Sequence, residues 1–435
     1  MNFQELYESK KVSLDEALGY IRSNDNVCFA GDCNEPKLFA QNLHKIAPRV
    51  ENVSVIKART GNFEFVKGDN MNGHINTGGF FYGPGWGEGH KKLNCSLIVT
   101  DLPDYGRFVA EHRPPNVFVA QTTPMDENGK FQISLCMMWE PETFAAVMAQ
   151  PDHRIILEVN PQQVHVKGGL EIDINDVSCL YEVDEPLAEI PAMQATEVED
   201  TIGGLVSELV HDGDTIQLGI GSLPDAVARH LMDKHDLGLH TEMFTSSMGE
   251  MIRRGVITGE RKNYYKGVHV GSFAGGDRAL YETMQNTPTL RIVPGSYGVN
   301  PMTIMQNDNM VSINTILEMD LTGQVCSESI GPKQFSGTGG AFCFAYGALH
   351  SKGGKGILAF QASTKKGVSK ISSQLKPGAV VSIPRNYVDY VVTEYGIAHL
   401  RGRSVKERVL QLISIAHPDV REELRRYAKE QFMIV

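Results

Sequence analysis

Gly219-Ile220-Gly221-Ser222-Leu223-Pro224 and the later His240-Thr241-Glu242 combine a glycine-rich loop with a carboxylate about 20 residues further on. Glycines let a backbone turn tightly and approach a ligand closely, and backbone N–H groups in such a turn suit an anion such as phosphate. A carboxylate can act as nucleophile, base or hydrogen-bond acceptor. The surrounding residues must place both groups. Thr215–Leu218 reads as a short strand, and Pro224 suits the first turn of a helix that continues through Asp225–Met232. Leu237–Thr241 reads as the next strand, which puts Glu242 near its carboxyl end. Ligands of open parallel sheets bind outside the carboxyl ends of strands, so loop and carboxylate are expected at one edge of one sheet.

Two readings of this unit compete on its residues alone. A Gly-x-Gly after a strand, with an acid downstream, imitates a dinucleotide fingerprint. Here, however, Pro224 replaces the third glycine, the one that permits close packing of helix on strand. The other reading is a tight turn beside a solvated strand-end glutamate. His240 and Glu242 share one face of a strand and could form a metal pair, but no third ligand has a recognisable spacing and zinc wants three or four. A polar neighbour of Glu242 is the simpler role for His240, and no metal site is expected.

Further strings extend along the chain. They are Gly31-Asp32…Glu35-Pro36-Lys37, Pro115-Asn116-Val117-Phe118-Val119, Glu158-Val159-Asn160-Pro161 and Val183-Asp184-Glu185-Pro186…Glu189-Ile190-Pro191. The second half adds Gln306-Asn307-Asp308-Asn309-Met310, Leu321-Thr322-Gly323-Gln324-Val325, Ser336-Gly337-Thr338-Gly339-Gly340 and Val392-Thr393-Glu394-Tyr395-Gly396-Ile397-Ala398. In order and spacing, together with the Gly219 loop and His240-Thr241-Glu242-Met243, the chain resembles the acetyl-CoA hydrolase/transferase family, in particular its 4-hydroxybutyrate and butyryl-CoA:acetate CoA-transferase branch. The resemblance covers nearly all 435 residues. It implies a CoA-transferase-like fold of two similar open α/β domains with mainly parallel sheets, packed against each other. The expected division is 1–190, an N-terminal α/β domain on the acyl side, and 191–435, a C-terminal domain that binds CoA and carries the catalytic glutamate.

Size and composition agree with that expectation. A chain of 435 residues exceeds what one hydrophobic core usually supports. A hydrophobic fraction of 41% with 43 glycines suits a loop-rich globular enzyme. The net charge of −11 argues against a nucleic-acid surface, but a few lysines and backbone amides can still bind phosphate inside an acidic protein. No signal peptide is expected from the polar Met1–Lys11, and no stretch approaches the roughly 18 apolar residues of a membrane span. The seven scattered cysteines lack zinc spacing, and a reducing cytoplasm is their simplest setting.

Apolar runs alternate with helical patterns, as in parallel sheets covered by helices. Strands are predicted at Asn26–Ala30, Val53–Ile56, Ser96–Thr100, Val117–Ala120, Ile155–Val159 and Val177–Glu182, with Asp184–Asp200 as a crossing linker. After a helix over Thr201–His211, later strands are predicted at Val268–Ser272, Leu290–Pro294, Ile357–Phe360, Val380–Ile383 and Tyr390–Thr393. Ser404-Val405-Lys406-Glu407 is a capping box. It opens a helix whose buried face is Val405, Val409, Leu412, Ile413 and Ala416; Lys406 and Arg408 are expected in solvent.

The resemblance gives Glu242 the role of covalent nucleophile in CoA transfer. It gives Gly219, Ile220, Gly221, Ser222 and Leu223 a contact with CoA and places Gly339 and Gly340 of the second glycine cluster in the same site. Lys365 and Lys366 follow the strand ending at Phe360 and are read either as partners of a CoA phosphate or as two exposed surface lysines. Family members usually carry Gln and then Asp after that Gly-Gly pair; this chain has Ala341 and Cys343, which bears on which acid is used. Gly31–Asn34 and Gly83–Gly87 are expected to wall the substrate pocket, and Phe80, Phe81, Tyr82 and Trp86 suit a small apolar acyl chain as well as they suit core packing. The expected activity is acyl-CoA:carboxylate CoA transfer on short-chain acids, such as butyryl-CoA or 4-hydroxybutyryl-CoA with acetate. Acyl-CoA hydrolysis or non-catalytic CoA binding are the alternatives. Coenzyme A enters as substrate, with no permanently bound cofactor. The expected partners are acyl-CoA, a small carboxylic acid and further copies of the chain, as a homodimer or larger homo-oligomer.

Overall fold

Seven strands of the first half form one sheet whose two central strands are buried along their whole length. In a computed structural model, which describes residues 2–57, 61–83, 85–190 and 193–433, they are β1 (Asn26–Phe29), β2 (Val53–Ile56), β3 (Ile75–Gly79), β4 (Cys95–Leu97), β5 (Val117–Thr122), β6 (Arg154–Val159) and β7 (Cys179–Glu182). Every pairing in the order β4-β3-β2-β1-β5-β6-β7 is parallel. Each residue of β5 and β6 is buried, as expected for central parallel strands covered on both faces. Arg154, which opens β6, is itself buried, and its charge is met by Asp25 at 2.6 Å.

The chain divides into two units, and the division is not a single cut. The first comprises Met1–Ile190 together with Val270–Gly298, and the second Pro191–His269 with Val299–Val435. An uninterrupted second domain over 191–435 therefore needs correction. The excursion has a packing reason: helix Arg278–Asn286, capped by Asp277, buries Leu280, Tyr281 and Met284. The Tyr281 hydroxyl donates to Ala188 O at 2.6 Å and lies 3.1 Å from Cys33 Sγ, both within the first unit.

The second unit holds β8 (Thr215–Leu218), β9 (Gly238–Leu239), β10 (Met310–Asn314), β11 (Lys355–Ala359), β12 (Tyr390–Thr393) and β13 (Gly396–His399). They form one sheet in the order β9-β8-β10-β11-β12-β13, parallel except for the closing hairpin β12–β13. Its helices include α1 (Glu197–Ser207), α2 (Ser222–His230), α3 (Ala341–His350) and α4 (Val405–Ile415). Both α1 and α4 start with complete capping boxes, Thr196 with Glu199 and Ser404 with Glu407. Such boxes satisfy two of the orphan amides at a helix start. Val409, Leu412 and Ile413 of α4 pack into the core beside β12 and β13 residues Val391 and Ala398.

Several predicted elements differ from those observed. Val380 and Val381 are 40% and 42% exposed and form no strand; Ile383 makes only an isolated bridge to Val325. The predicted strand Leu237–Thr241 shrinks to β9, and α1 starts four residues before the expected helix, inside the presumed linker. Arg408 is not in solvent. It is 9% exposed and donates to the carbonyls of Arg385 and Thr322, which places a charged residue on the inner side of α4. All seven cysteines are buried, and among the described residues no helix is long and apolar enough to cross a membrane.

Candidate functional site

The carboxyl end of β8 is held in register by a pair of side-chain amides. Gln217 donates to Asn314 Oδ1 at 3.2 Å, and Asn314 donates to Gln217 Oε1 at 3.1 Å. The loop that follows turns on Gly221, whose φ of 113° lies where side-chain-bearing residues are strained. A Cβ at Gly221 would meet nothing within 4 Å, so the backbone angle alone demands glycine there. Gly221 is the N-cap of α2 and supplies no side-chain cap to it. Gly219 behaves differently: its N–H donates to Ile313 O at 2.9 Å, so its amide belongs to the sheet and is not available to a ligand.

Ser222, the first residue of α2, is held by the preceding helix. Its hydroxyl donates to Glu199 Oε1 at 2.6 Å, while Thr196 donates to Oε2 through its N–H at 2.8 Å and its hydroxyl at 3.1 Å. Burial pushes the Glu199 carboxyl up, but the Ser222 and Thr196 bonds and the charge of Lys365 outweigh it and hold the group below its ordinary value. Glu199 is therefore a fixed anion that braces the loop.

Beside the loop lies a cleft of about 430 Å³. Three adjacent parallel strands deliver its walls from their carboxyl ends: Ile220–Pro224 after β8, Thr315–Leu317 after β10, and Phe360 and Gln361 after β11. Lys365 and Lys370 complete it. Ligand sites of open α/β sheets form at this edge. The combination of apolar walls, two cations and an uncapped helix N-terminus suits a ligand with an anionic end and an apolar body. Ile220, Gly221, Ser222, Leu223 and Lys365, all anticipated from the sequence, line it. Lys370 lines it too and was missed, because a lysine among glycine and serine residues carries no motif.

Glu242 is delivered by the neighbouring strand. Residue pairs Thr215–Gly238 and Ile216–Leu239 set the register of β9 on β8, and His240 N–H continues it to Ile216 O at 3.1 Å. His240 and Thr241 are fully buried. The His240 ring lies 3.2 Å through Nδ1 from Asn307 Nδ2 and edge-on to Phe344, a structural setting. Among the described residues, no group of three His, Cys, Asp or Glu side chains is placed to hold a metal. Thr241 donates to Met243 O at 3.1 Å and bends the chain at the glutamate. The Glu242 carboxylate then lies against Gly340: a Cβ at that position would overlap Glu242 Oε2. Gly340 is the N-cap of α3, so the carboxylate sits at a helix N-terminus, where negative charge is favoured. Gly340 thus adjoins Glu242, and neither Gly339 nor Gly340 is among the residues that line the cleft beside Gly221.

In the first unit, the Gly31 N–H donates to Glu140 Oε1 at 2.8 Å, and a Cβ there would collide with Trp139. Glu140 is fully buried and its carboxyl is raised to about 7 by burial, against the bonds it accepts from Trp139 and Gly31. Trp86 and Phe80 are core residues, which favours packing over a ligand lining for them. Of the turn at Gly83–Gly87, Pro84 lies outside the described residues, and Gly85 caps the short helix Trp86–Lys91.

A parallel sheet edge with a phosphate-compatible loop and two lysines, and a nearby carboxylate at a helix N-terminus, suits an anion-bearing substrate. The sequence profile of the acetyl-CoA hydrolase/transferase C-terminal domain matches residues 276–428. Succinyl-CoA:cyclohexane-1-carboxylate CoA transferase of Geobacter metallireducens is 37% identical over 429 residues, 98% of this chain and 97% of that protein. The crystal structure of RipA from Yersinia pestis superposes with a TM-score of 0.92 at 31% identity, covering 100% of both chains. That of 4-hydroxybutyrate CoA-transferase from Porphyromonas gingivalis does so with a TM-score of 0.80 at 33% identity, covering 99% of this chain and 100% of the other. The chain belongs to the acetyl-CoA hydrolase/transferase family, in its CoA-transferase branch.

Proposed function

We propose that the protein moves CoA between a short-chain acyl-CoA, of the butyryl-CoA or 4-hydroxybutyryl-CoA kind, and a carboxylate such as acetate, with Glu242 as covalent carrier. The observation that carries this reading is the Glu242 carboxylate set against Gly340 at the start of α3, at the sheet edge that also bears the Gly221 loop. A Glu242 oxygen attacks the acyl carbonyl carbon, the C–S bond breaks, and CoA leaves as thiolate, giving a mixed anhydride. The thiolate then attacks the glutamyl carbonyl carbon and expels the acyl group as its carboxylate. This leaves a glutamyl-CoA thioester. An incoming carboxylate attacks the same glutamyl carbon and releases thiolate, which takes the new acyl group and restores Glu242. Splitting the exchange in this way replaces one hard step by easier ones. A carboxylate is a weak nucleophile, so placement must lower the barrier. The CoA body is assigned to the cleft of Ile220–Leu223 and Lys365. We place the reaction in the cytoplasm, in keeping with seven buried cysteines.

Incubation with an acyl-CoA and no acceptor acid should leave a glutamyl-CoA thioester on the enzyme. Borohydride reduction and peptide mapping should place the mass change within His240–Phe244. Initial rates should give parallel double-reciprocal lines, and E242Q should lose about three decades of turnover or more while still binding CoA. Adduct formation at another carboxylate would reassign the nucleophile. A ternary-complex rate pattern without any adduct would overturn the covalent route.

A further inference from the structure

We propose that Lys370 is a second phosphate-binding cation of the Gly221 cleft and takes a phosphate of the CoA substrate at greater depth than Lys365. This rests on the reading of the cleft as the CoA site. The two lysines occupy different parts of one hairpin. Lys365 is exposed at its tip, where Thr364 N–H bonds Val368 O at 2.8 Å and Gly367 turns with φ 76°. Lys370 stands at its base and is only partly exposed. Its own N–H donates to Ala362 O at 2.8 Å, and the next residues, Ile371 and Ser372, pair with Met319 and Asp320. The backbone of Lys370 is therefore anchored on both sides, whereas Lys365 is carried on a turn.

The ammonium of Lys370 has no hydrogen-bond or ion-pair partner among the described residues. Glu199 and Glu394 are near enough to act on it through charge, yet both are committed elsewhere. Glu199 is held by Ser222 and Thr196, and Glu394 Oε2 accepts the Ala362 N–H at 2.9 Å. Burial holds the Lys370 amine below the ordinary lysine value in spite of those two charges. A half-buried charge without a partner is costly, and a ligand anion in the cleft would supply the missing partner. A space of about 430 Å³ exceeds the needs of a small acid. The neighbouring Ile220, Leu223, Ile316 and Phe360 suit a long substrate body, and two cations suit a multiply charged phosphate.

The test compares kcat/KM of the full-length protein for an acyl-CoA, the matching acyl-dephospho-CoA and the matching acyl-pantetheine, which carries no phosphate. K370Q should lose between about 10-fold and 100-fold on acyl-CoA, the size of a lost charge-assisted bond, with acyl-pantetheine unchanged. K370R should recover most of the loss. If the K370Q penalty persists on acyl-dephospho-CoA, the contact is to the pyrophosphate; if it vanishes, to the 3′-phosphate; either supports the proposal. An unchanged kcat/KM for acyl-CoA, or equal losses on acyl-CoA and acyl-pantetheine, would overturn it. G221V separates the levels. If G221V weakens acyl-CoA use and K370Q does not, the Lys370 assignment fails while the cleft remains the CoA site. If neither has an effect, both readings fail.

Discussion

Replacing Gly340 by alanine tests the placement of Glu242 with one methyl group. The φ and ψ of Gly340 are −91° and 1°, a conformation open to alanine, so the backbone has no reason to move. Stability should change little. Alanine is worse than glycine at an N-cap by about 0.5–1 kcal/mol, and it gains about 0.4–1 kcal/mol by restricting the unfolded chain. The two terms oppose each other. The new Cβ would overlap Glu242 Oε2 and stand 3.0 Å from Val299 Cγ1. Since the carboxylate is the movable neighbour, it must retreat by roughly 1 Å to restore ordinary contact. A displacement of that size at a reacting group costs about a hundredfold in rate. G340A should therefore melt within a few degrees of the parent protein, bind CoA with unchanged affinity, and turn over about a hundredfold more slowly. Calorimetric titration with CoA, a thermal melt and a coupled exchange assay read the three quantities. Turnover within about threefold of the parent would refute the placement of the carboxylate against this glycine. Loss of CoA affinity instead of turnover would make Gly340 a CoA contact.

G221V should weaken CoA binding, because a β-branched residue tolerates φ of 113° poorly; unchanged affinity in the folded variant would reduce the loop to a turn. Lys262 makes stability depend on pH. It is 3% exposed, donates to Leu239 O and Val268 O, and burial lowers its amine to about 7 from 10.5. Between those values the unfolded chain binds the extra proton, so stability rises with pH through this window and is lost on the way down. Denaturant melts at pH 7 and pH 9 should show an increment of up to about 2–3 kcal/mol in the parent protein relative to K262M. Parallel pH profiles for the two proteins would show that Lys262 titrates normally.

The sequence was most legible where one local rule governed one element. Val53–Ile56 and Tyr390–Thr393 are apolar runs with the bounds expected of them, and Ser404 with Glu407 forms the predicted capping box. Strand Ile75–Gly79 escaped notice because four of its five residues are Asn, Thr, Gly and Gly. Its glycines serve packing: a Cβ at Gly78 would stand 3.0 Å from Ile98 Cδ1, a contact no local pattern announces. Val380–Ile383 misled in the opposite direction, since β-branched residues in a connection look like a strand until their exposure is known. At the site, the loop and Glu242 could be read because turn chemistry and strand order are sequential. The contact of Gly340 with Glu242 joins residues nearly a hundred positions apart, and Lys370 acquires meaning only from the space it borders.

The burial of the cysteines has a chemical consequence for an enzyme that handles thioesters. Acyl-CoA is an acylating agent, so any reactive thiolate on the protein would compete for acyl groups with the proposed carrier, Glu242. Burial pushes the thiols of Cys28, Cys33 and Cys179 up to about 12 and that of Cys95 to about 11. At pH 7 a thiol near 12 is ionised in roughly one molecule in a hundred thousand and one near 11 in roughly one in ten thousand, and the thiolate is the reactive form. Burial thus keeps the chemistry of an acyl-CoA off these four sulfur atoms, so they offer the proposed carboxylate carrier little competition for the acyl group.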